Sequence, residues 1–466
     1  MRTILHNFTI ASLSRLLVGG IGLIIIGLMT RALGPAGFGD YSLILALLFV
    51  FTTLADLGLY SILVREISRE EDQAKIVSNI FTLRLFAVLI FALLAIILVW
   101  ALPYTRIVKI GVVIASIYTI LSSLSQVLLG LFQRHLKLHQ VSVADVVTKI
   151  IQLGLVFIVL RIDGGITQFI WATVFSELIR FCLIFGLAKR MVPIKLDFNF
   201  NYWKKILKSS LPIAASLIFV LLYFKLDTII LSLMKPAYDV GIYSAPYRIL
   251  EVIIFFPAAY LGLIMPLLSK QAIENLNDFK KIFQKTFNVL AIFAIPLTAF
   301  LLLRAGDIVG IINGVGFEDS APVLSILSVA IALIFFGNLG GNALIALDLQ
   351  KKGVWFYFSG ALLNISVNLI FIPKFSYLAT AWSTVATELL ITLGIFALIY
   401  KETKILPNVA ALIKPIVVTI LVAAVLRPFG LPFWWAAFLS LAYFPLLYLF
   451  RGFRMRDFAE IISKTI

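Results

Sequence analysis

Long apolar runs alternate with short polar connections from one end of the chain to the other, and this alternation sets the first structural expectation. A lipid hydrocarbon core is roughly 30 Å thick, so a helix rising about 1.5 Å per residue needs some 20 residues to cross it. Only a helix satisfies its own backbone there. Fourteen runs fit that description, opening with 8–30, 40–62 and 80–102 and closing with 412–426 and 431–450. The expected class is all-α: a polytopic membrane protein of fourteen transmembrane helices. The first run is too long for a signal-peptide core and has no clear small-residue cleavage site, so it reads as a retained span.

Composition agrees with the pattern. Hydrophobic residues make up 62% and charged residues 13%, with mean hydropathy +1.07, whereas a soluble domain carries about 25% charged residues. A net charge of +16 would suggest nucleic acid in a soluble protein. Its placement excludes that partner. With the N-terminus inside, 25 Lys and Arg fall on inner segments and 8 on outer loops, which is the positive-inside bias of a cytoplasmic-membrane protein with both termini cytoplasmic. No loop exceeds about 20 residues, leaving no room for a soluble catalytic domain, so no catalytic residue, metal or cofactor is expected. Cys182 lies in an apolar run and reads as packing. His135 and His139 sit four apart on the basic turn "RHLKLHQ" without a third ligand, so they read as a solvated face.

The glycine-rich stretch "TRALGPAGFGDY", residues 30–41, lacks the preceding strand and the Gly-Lys-Ser/Thr of a phosphate loop. It has a different relative within the chain. "GPAGFGDYS" at 34–42 is echoed by "KPAYDVGIYS" at 235–244, each joining the first two spans of a six-helix block, with the Pro-Ala pairs 201 residues apart. Repeated helix blocks are the trace of transporters that rock two lobes about a central site. The expected organisation is an N-lobe over 1–190, a cytoplasmic linker over 191–208, a C-lobe over 209–400, and two further spans with a cytoplasmic tail over 401–466.

"LGPAGFGDYSLI", followed by "ADLGLYSILVREISR" at 55–69, resembles the start of a polysaccharide-biosynthesis flippase, a family of the multidrug/oligosaccharidyl-lipid/polysaccharide exporter superfamily. The resemblance implies two six-helix lobes around a central V-shaped cavity, with two extra C-terminal helices. It also implies a polyprenyl-(pyro)phosphate-linked oligosaccharide as substrate, carried from the cytoplasmic to the outer leaflet by alternating access. Membrane lipids and other polysaccharide-assembly proteins are the implied partners. A cation-coupled small-molecule antiporter of the same superfamily is the alternative, and a membrane-embedded glycan polymerase or ligase a more distant one.

Twelve ionisable residues fall inside the expected spans: Arg15, Asp56, Arg84, Asp145, Lys149, Glu177, Arg180, Lys225, Asp227, Arg248, Glu251 and Glu388. Each costs roughly 2.5–3.5 kcal/mol at a helix centre, so none is expected to face lipid. Asp145 with Lys149, Glu177 with Arg180 and Arg248 with Glu251 are spaced to pair along one helix. Arg84 lies near an inner end, where snorkelling is one reading beside burial in the bundle. The expected cavity cations for an anionic head group are Arg15, Lys149 and Arg180 in the inner half and Lys225 and Arg248 in the outer half, giving a mainly basic first lobe. Tyr243 and Tyr247 beside Arg248 are candidate sugar-contacting rings, with an interfacial tyrosine belt as the plainer reading. Asp56, Asp227 and Glu388 are candidate ion-coupling carboxylates, because desolvation raises the pKa of a buried acid; helix packing is the alternative for each. The last two spans are uncharged over 415–426 and 431–450 and are expected to face lipid, flanking a groove for an isoprenoid tail.

Overall fold

The computed structural model describes residues 2–69, 72–426 and 431–449, with side chains for all of these except 2–13, 69, 211–224 and 426. Among the described residues every regular element is helical. The expected all-α class is what folds. Among the same residues, nine helices are long and apolar enough to cross a membrane. The expected tail beyond residue 449 lies outside the described residues.

The chain folds as two compact units, Met1–Ser244 and Ala245–Ile466. The first holds α1 (Arg2–Asp56), α2 (Leu59–Arg69), α3 (Gln73–Ala101), α4 (Arg106–Arg134), α5 (Leu138–Arg161), α6 (Ile166–Lys189), α7 (Phe200–Met234) and the first turns of α8 (Ala237–Ile253). At 55 residues, α1 would be about 80 Å long if straight, more than twice one crossing. It is not straight. Gly34 adopts φ 65° and ψ 178° immediately before Pro35, so one continuous helical run contains the first two expected spans joined at a turn. Only glycine reaches that conformation without a Cβ penalty, and proline at the next position presets φ for the following helix.

Within this unit α4 packs on α6, α3 and α1, and α5 packs on α1 and α6. Close crossings are set by small residues: a Cβ on Gly111 of α4 would lie 2.3 Å from Ile44 Cδ1 of α1. One end carries a buried apolar cluster that includes Leu63, Ile80, Leu128, Phe132, Ile184 and Ile206. The connection from α6 to α7 crosses this end as an extended strap. Its backbone amides at Lys195, Asp197 and Asn199 donate to Ser78 Oγ, Thr82 Oγ1 and Asn79 Oδ1 of α3 at 3.1, 3.0 and 3.3 Å. Three polar side chains in an otherwise apolar run thus do for an irregular segment what a neighbouring strand would do.

The second unit contains the rest of α8, then α9 (Phe255–Glu274), α10 (Leu276–Leu303), the short α11 (Ala305–Ile312), α12 (Ser320–Ala346), α13 (Gln350–Thr403), a 3₁₀ turn at Val409–Leu412, α14 (Ile413–Leu426), α15 (Phe433–Ser440) and α16 (Tyr443–Leu449). The 54-residue α13 repeats the α1 device: Ser376 at φ 48°, ψ −131° turns the chain three residues after Pro373. α12 packs on α13, α10, α9 and α11, while α14 packs on α10 and α16. The sequence predicted one helix per span and did not foresee that two pairs of spans run on through tight turns.

Candidate functional site

The two repeated hairpins meet. Aligned on their Tyr-Ser pairs, Pro35, Gly39, Tyr41 and Ser42 correspond to Ala237, Gly241, Tyr243 and Ser244, each 202 residues on. A Cβ built on Gly39 would stand 1.9 Å from Ala237 O, and one built on Gly241 would stand 1.9 Å from Pro35 O. The contact is reciprocal, and only two glycines allow backbones this near. The following tyrosines turn back into the bundle: Tyr41 Oη lies 3.3 Å from Thr173 Oγ1, and Tyr243 Oη donates to Asp227 Oδ2 at 3.0 Å. The paired Ser42 and Ser244 are 3% and 5% exposed, and their hydroxyls have no hydrogen-bond partner among the described residues.

A polar cluster lies between α5 and α6. Arg180 Nε donates to Asp145 Oδ1 at 2.7 Å and its Nη1 to Glu177 Oε1 at 3.0 Å. Its Nη2 makes no hydrogen bond among the described residues, while 17% of the side chain is exposed. Lys149 Nζ donates to Gln152 Oε1 at 2.8 Å, and Gln152 Nε2 reaches Thr173 Oγ1 at 3.3 Å. The spacing expectation for Glu177 and Arg180 holds, whereas Asp145 takes Arg180 from 35 residues away on another helix. With two carboxylates beside two cations, this cluster is close to neutral, where the sequence reading expected cations to predominate. The reason is physical: desolvated cations recruit buried acids as counter-charges.

Arg84 does not snorkel. It is fully buried, at 0% exposed, and its Nη1 is ion-paired with Asp56 Oδ1 and donates to Ala55 O at 3.0 Å, while Nη2 reaches Gln126 Oε1 at 3.1 Å. Asp56, which has no base one helical turn away, therefore has one 28 residues on, across helices. This clamp ties α1, α3 and α4.

The other expected cations lie on α1, α7 and α8. Arg15 is exposed on α1, within electrostatic reach of Tyr60, whose hydroxyl donates to Gln133 Oε1 at 2.6 Å. Lys225 is 8% exposed, with Nζ 5.9 Å from the Phe49 ring centroid, a cation–π distance. Arg248 lies in the second unit, bound to Glu251 at 2.8 Å. Tyr243 and Tyr247 are 0% and 3% exposed, so neither ring offers a stacking face to a sugar in this conformation. Sequence spacing places these rings near Arg248 without saying what covers them. His135 lies on its turn as expected, with Nε2 3.0 Å from Gln73 Oε1. Partial burial, then Lys137 and Arg134, hold its pKa below the ordinary imidazole value.

In the second unit Glu388 is 4% exposed on the later half of α13. Its Oε2 would lie 4.0 Å from a Cβ on Gly337, and it lies within electrostatic reach of Tyr357. The same helix buries a polar stripe in which Asn368 Nδ2 donates to Asn364 O and Ser383 Oγ at 3.0 and 3.1 Å, joining the two halves of α13. Asn364 Nδ2, Thr380 Oγ1 and Thr387 Oγ1 have no hydrogen-bond partner among the described residues. Sequence reasoning passed over this stripe because it weighed only charged side chains. Farther along, Phe300, Leu303, Arg304, Thr419, Val422 and Tyr443 line a cavity of about 320 Å³ between α10 and the last helices, where Arg304 Nη2 donates to Leu431 O at 2.9 Å.

Residues 4–272, more than half of the chain and including both repeated hairpins, match the profile of the polysaccharide biosynthesis protein family. The chain belongs to that family. Within it, the Haloferax volcanii protein named "Probable flippase AglR" is 32% identical over 228 residues, 45% of this chain and 46% of that protein, so the match spans about half of that relative's length. A Shigella flexneri protein provisionally named an O-antigen transporter is 25% identical over 336 residues, 67% of this chain and 77% of that protein. Among solved structures, the lipid II flippase MurJ in an inward closed conformation superposes with TM-score 0.80 at 13% identity, covering 95% of this chain and 98% of that one. At such identity the likeness speaks for the fold.

Proposed function

We propose that this member of the polysaccharide biosynthesis family is a flippase that carries a polyprenyl-(pyro)phosphate-linked oligosaccharide from the cytoplasmic to the outer leaflet. It does so by alternating access of two lobes, 1–190 and 209–400, linked over 191–208, with fourteen crossings and both termini cytoplasmic. The names of the family and of its relatives support the cargo class. The observation that carries the reading is Arg180: its orientation is fixed by two carboxylates while Nη2 is left over for an incoming anion. A guanidinium held in this way is preorganised for a phosphate oxygen.

The Gly39–Gly241 crossing is read as the closed outer end. Opening must part the two hairpins, and the hydroxyls of Ser42 and Ser244, without a partner among the described residues, are then free to take water. The cavity beside Arg304 is a candidate groove for the isoprenoid tail, and Asp56, Asp227 and Glu388 remain candidates for ion coupling. Sugar contact by Tyr243 and Tyr247 would require the hairpins to part. A cation-coupled small-molecule antiporter is less well supported, because acids are not in excess among Asp145, Lys149, Glu177 and Arg180. The test is reconstitution: vesicles containing the purified chain should expose a labelled polyprenyl-pyrophosphate oligosaccharide to an outside lectin faster than protein-free vesicles. Equal rates, combined with proton-driven ethidium movement, would replace the flippase reading with the antiporter.

A further inference from the structure

We propose that the strap between α6 and α7, with the first turns of α7, is a docking surface for anionic phospholipid headgroups. The proposal rests on the chain lying in a membrane and not on what it transports. Lys189, Arg190, Lys195, Lys204, Lys205 and Lys208 are all exposed here. The one acid of the segment, Asp197, is taken by Asn79 Nδ2 of α3. Six cations against that single carboxylate leave the surface strongly positive.

Apolar side chains stand out between those cations. Leu196 is 58% exposed, Phe198 52% and Phe200 71%. They are held in place by the three amide hydrogen bonds to α3 described above and by ring contacts: Trp203 lies 6.2 Å from Phe198, 5.1 Å from Phe200 and 5.9 Å from Phe86 between centroids. Phe86 belongs to the apolar run of α3 and is 41% exposed, which sets the cluster at the edge of the hydrocarbon. The 35 residues of α7 run about 50 Å, some 20 Å more than the hydrocarbon needs, so its first turns lie at headgroup level.

The positive-inside bias explains lysines on this side of the membrane, but not three apolar side chains fixed among them in the open. Aromatic and aliphatic groups that enter the interface while ammonium groups meet lipid phosphates explain both. A second copy of the chain is the wrong partner, since it would bring six more cations against these six.

Quenching of Trp203 by brominated lipids tests this in the full chain in nanodiscs, with the Trp203→Phe protein giving the background. Dibromo-phosphatidylglycerol should quench the Trp203 emission several-fold more than dibromo-phosphatidylcholine at equal mole fraction. Raised salt should erase the difference. Lys195→Gln, Lys204→Gln, Lys205→Gln and Lys208→Gln together should also remove it, each surface lysine contributing about fivefold in lipid partitioning. Phe198→Ser with Phe200→Ser should weaken quenching by both lipids. Equal quenching by the two lipids in the unaltered chain, or a preference indifferent to salt, overturns the proposal even if the lysine variant does not fold. So does a lysine variant that changes oligomeric state while lipid preference stays constant, which would assign the surface to a second copy.

Discussion

Gly39 and Gly241 occupy equivalent places in two copies of one hairpin, and at each of them a Cβ would meet a carbonyl oxygen of the other hairpin at 1.9 Å. Neither backbone can retreat cheaply, because Pro35 and Ala237, which supply the carbonyls, sit in the turns that begin the next helices. Alanine at either position should therefore hold the hairpins apart. In a Cys182→Ser background, a cysteine replacing Ser42 or Ser244 should be protected from an impermeant maleimide and become reactive several-fold faster once Gly39→Ala or Gly241→Ala is added. Unchanged protection with alanine at both glycines would mean that the crossing does not close this end.

The Arg84–Asp56 pair predicts an asymmetry in stability. Removing one partner leaves the other charge buried, so Arg84→Ala or Asp56→Asn alone should cost about 3–5 kcal/mol and lower the thermal unfolding temperature in detergent. Replacing both, as Arg84→Met with Asp56→Leu, should recover most of that loss. If Asp56→Asn leaves stability untouched and abolishes only ion-driven flux, Asp56 is a coupling group and not half of a clamp.

These pairs show where sequence reasoning reached its limit. Apolar runs are local, so the all-α class and the repeated hairpin were legible at once. The pairs Glu177–Arg180 and Arg248–Glu251 were legible too, because one helical turn separates the partners. Arg84–Asp56 and Arg180–Asp145 join residues 28 and 35 apart on different helices, and no spacing rule reaches across a bundle. The strap on Ser78, Asn79 and Thr82 was missed for the same reason. One signal was available and not used: Thr148 and Gln152 on α5, and Thr173, Glu177 and Arg180 on α6, recur at helical spacing and mark the faces that form the polar cluster.

Glu388 separates a coupled carrier from a passive one. Glu388→Gln keeps the size of the side chain and its hydrogen-bonding capacity, so the fold should persist. Flux that answers to an imposed proton gradient in the unaltered chain should lose that answer in this variant. A gradient response that survives Glu388→Gln transfers the coupling role elsewhere, with Asp227 next in order.

Arg180 is tested by the change that keeps its charge and removes its fork. Arg180→Lys leaves a cation to balance Asp145 and Glu177, so the unfolding temperature should stay near that of the unaltered chain. It can no longer hold both carboxylates and present a free nitrogen to a phosphate. In vesicles preloaded with a labelled polyprenyl-pyrophosphate oligosaccharide, the rate at which an outside lectin captures the sugar should fall about tenfold or more, the equivalent of one charge-assisted hydrogen bond. A folded Arg180→Lys protein that delivers the sugar at the unaltered rate would contradict the assignment of this arginine as the anion site of a lipid-linked oligosaccharide flippase.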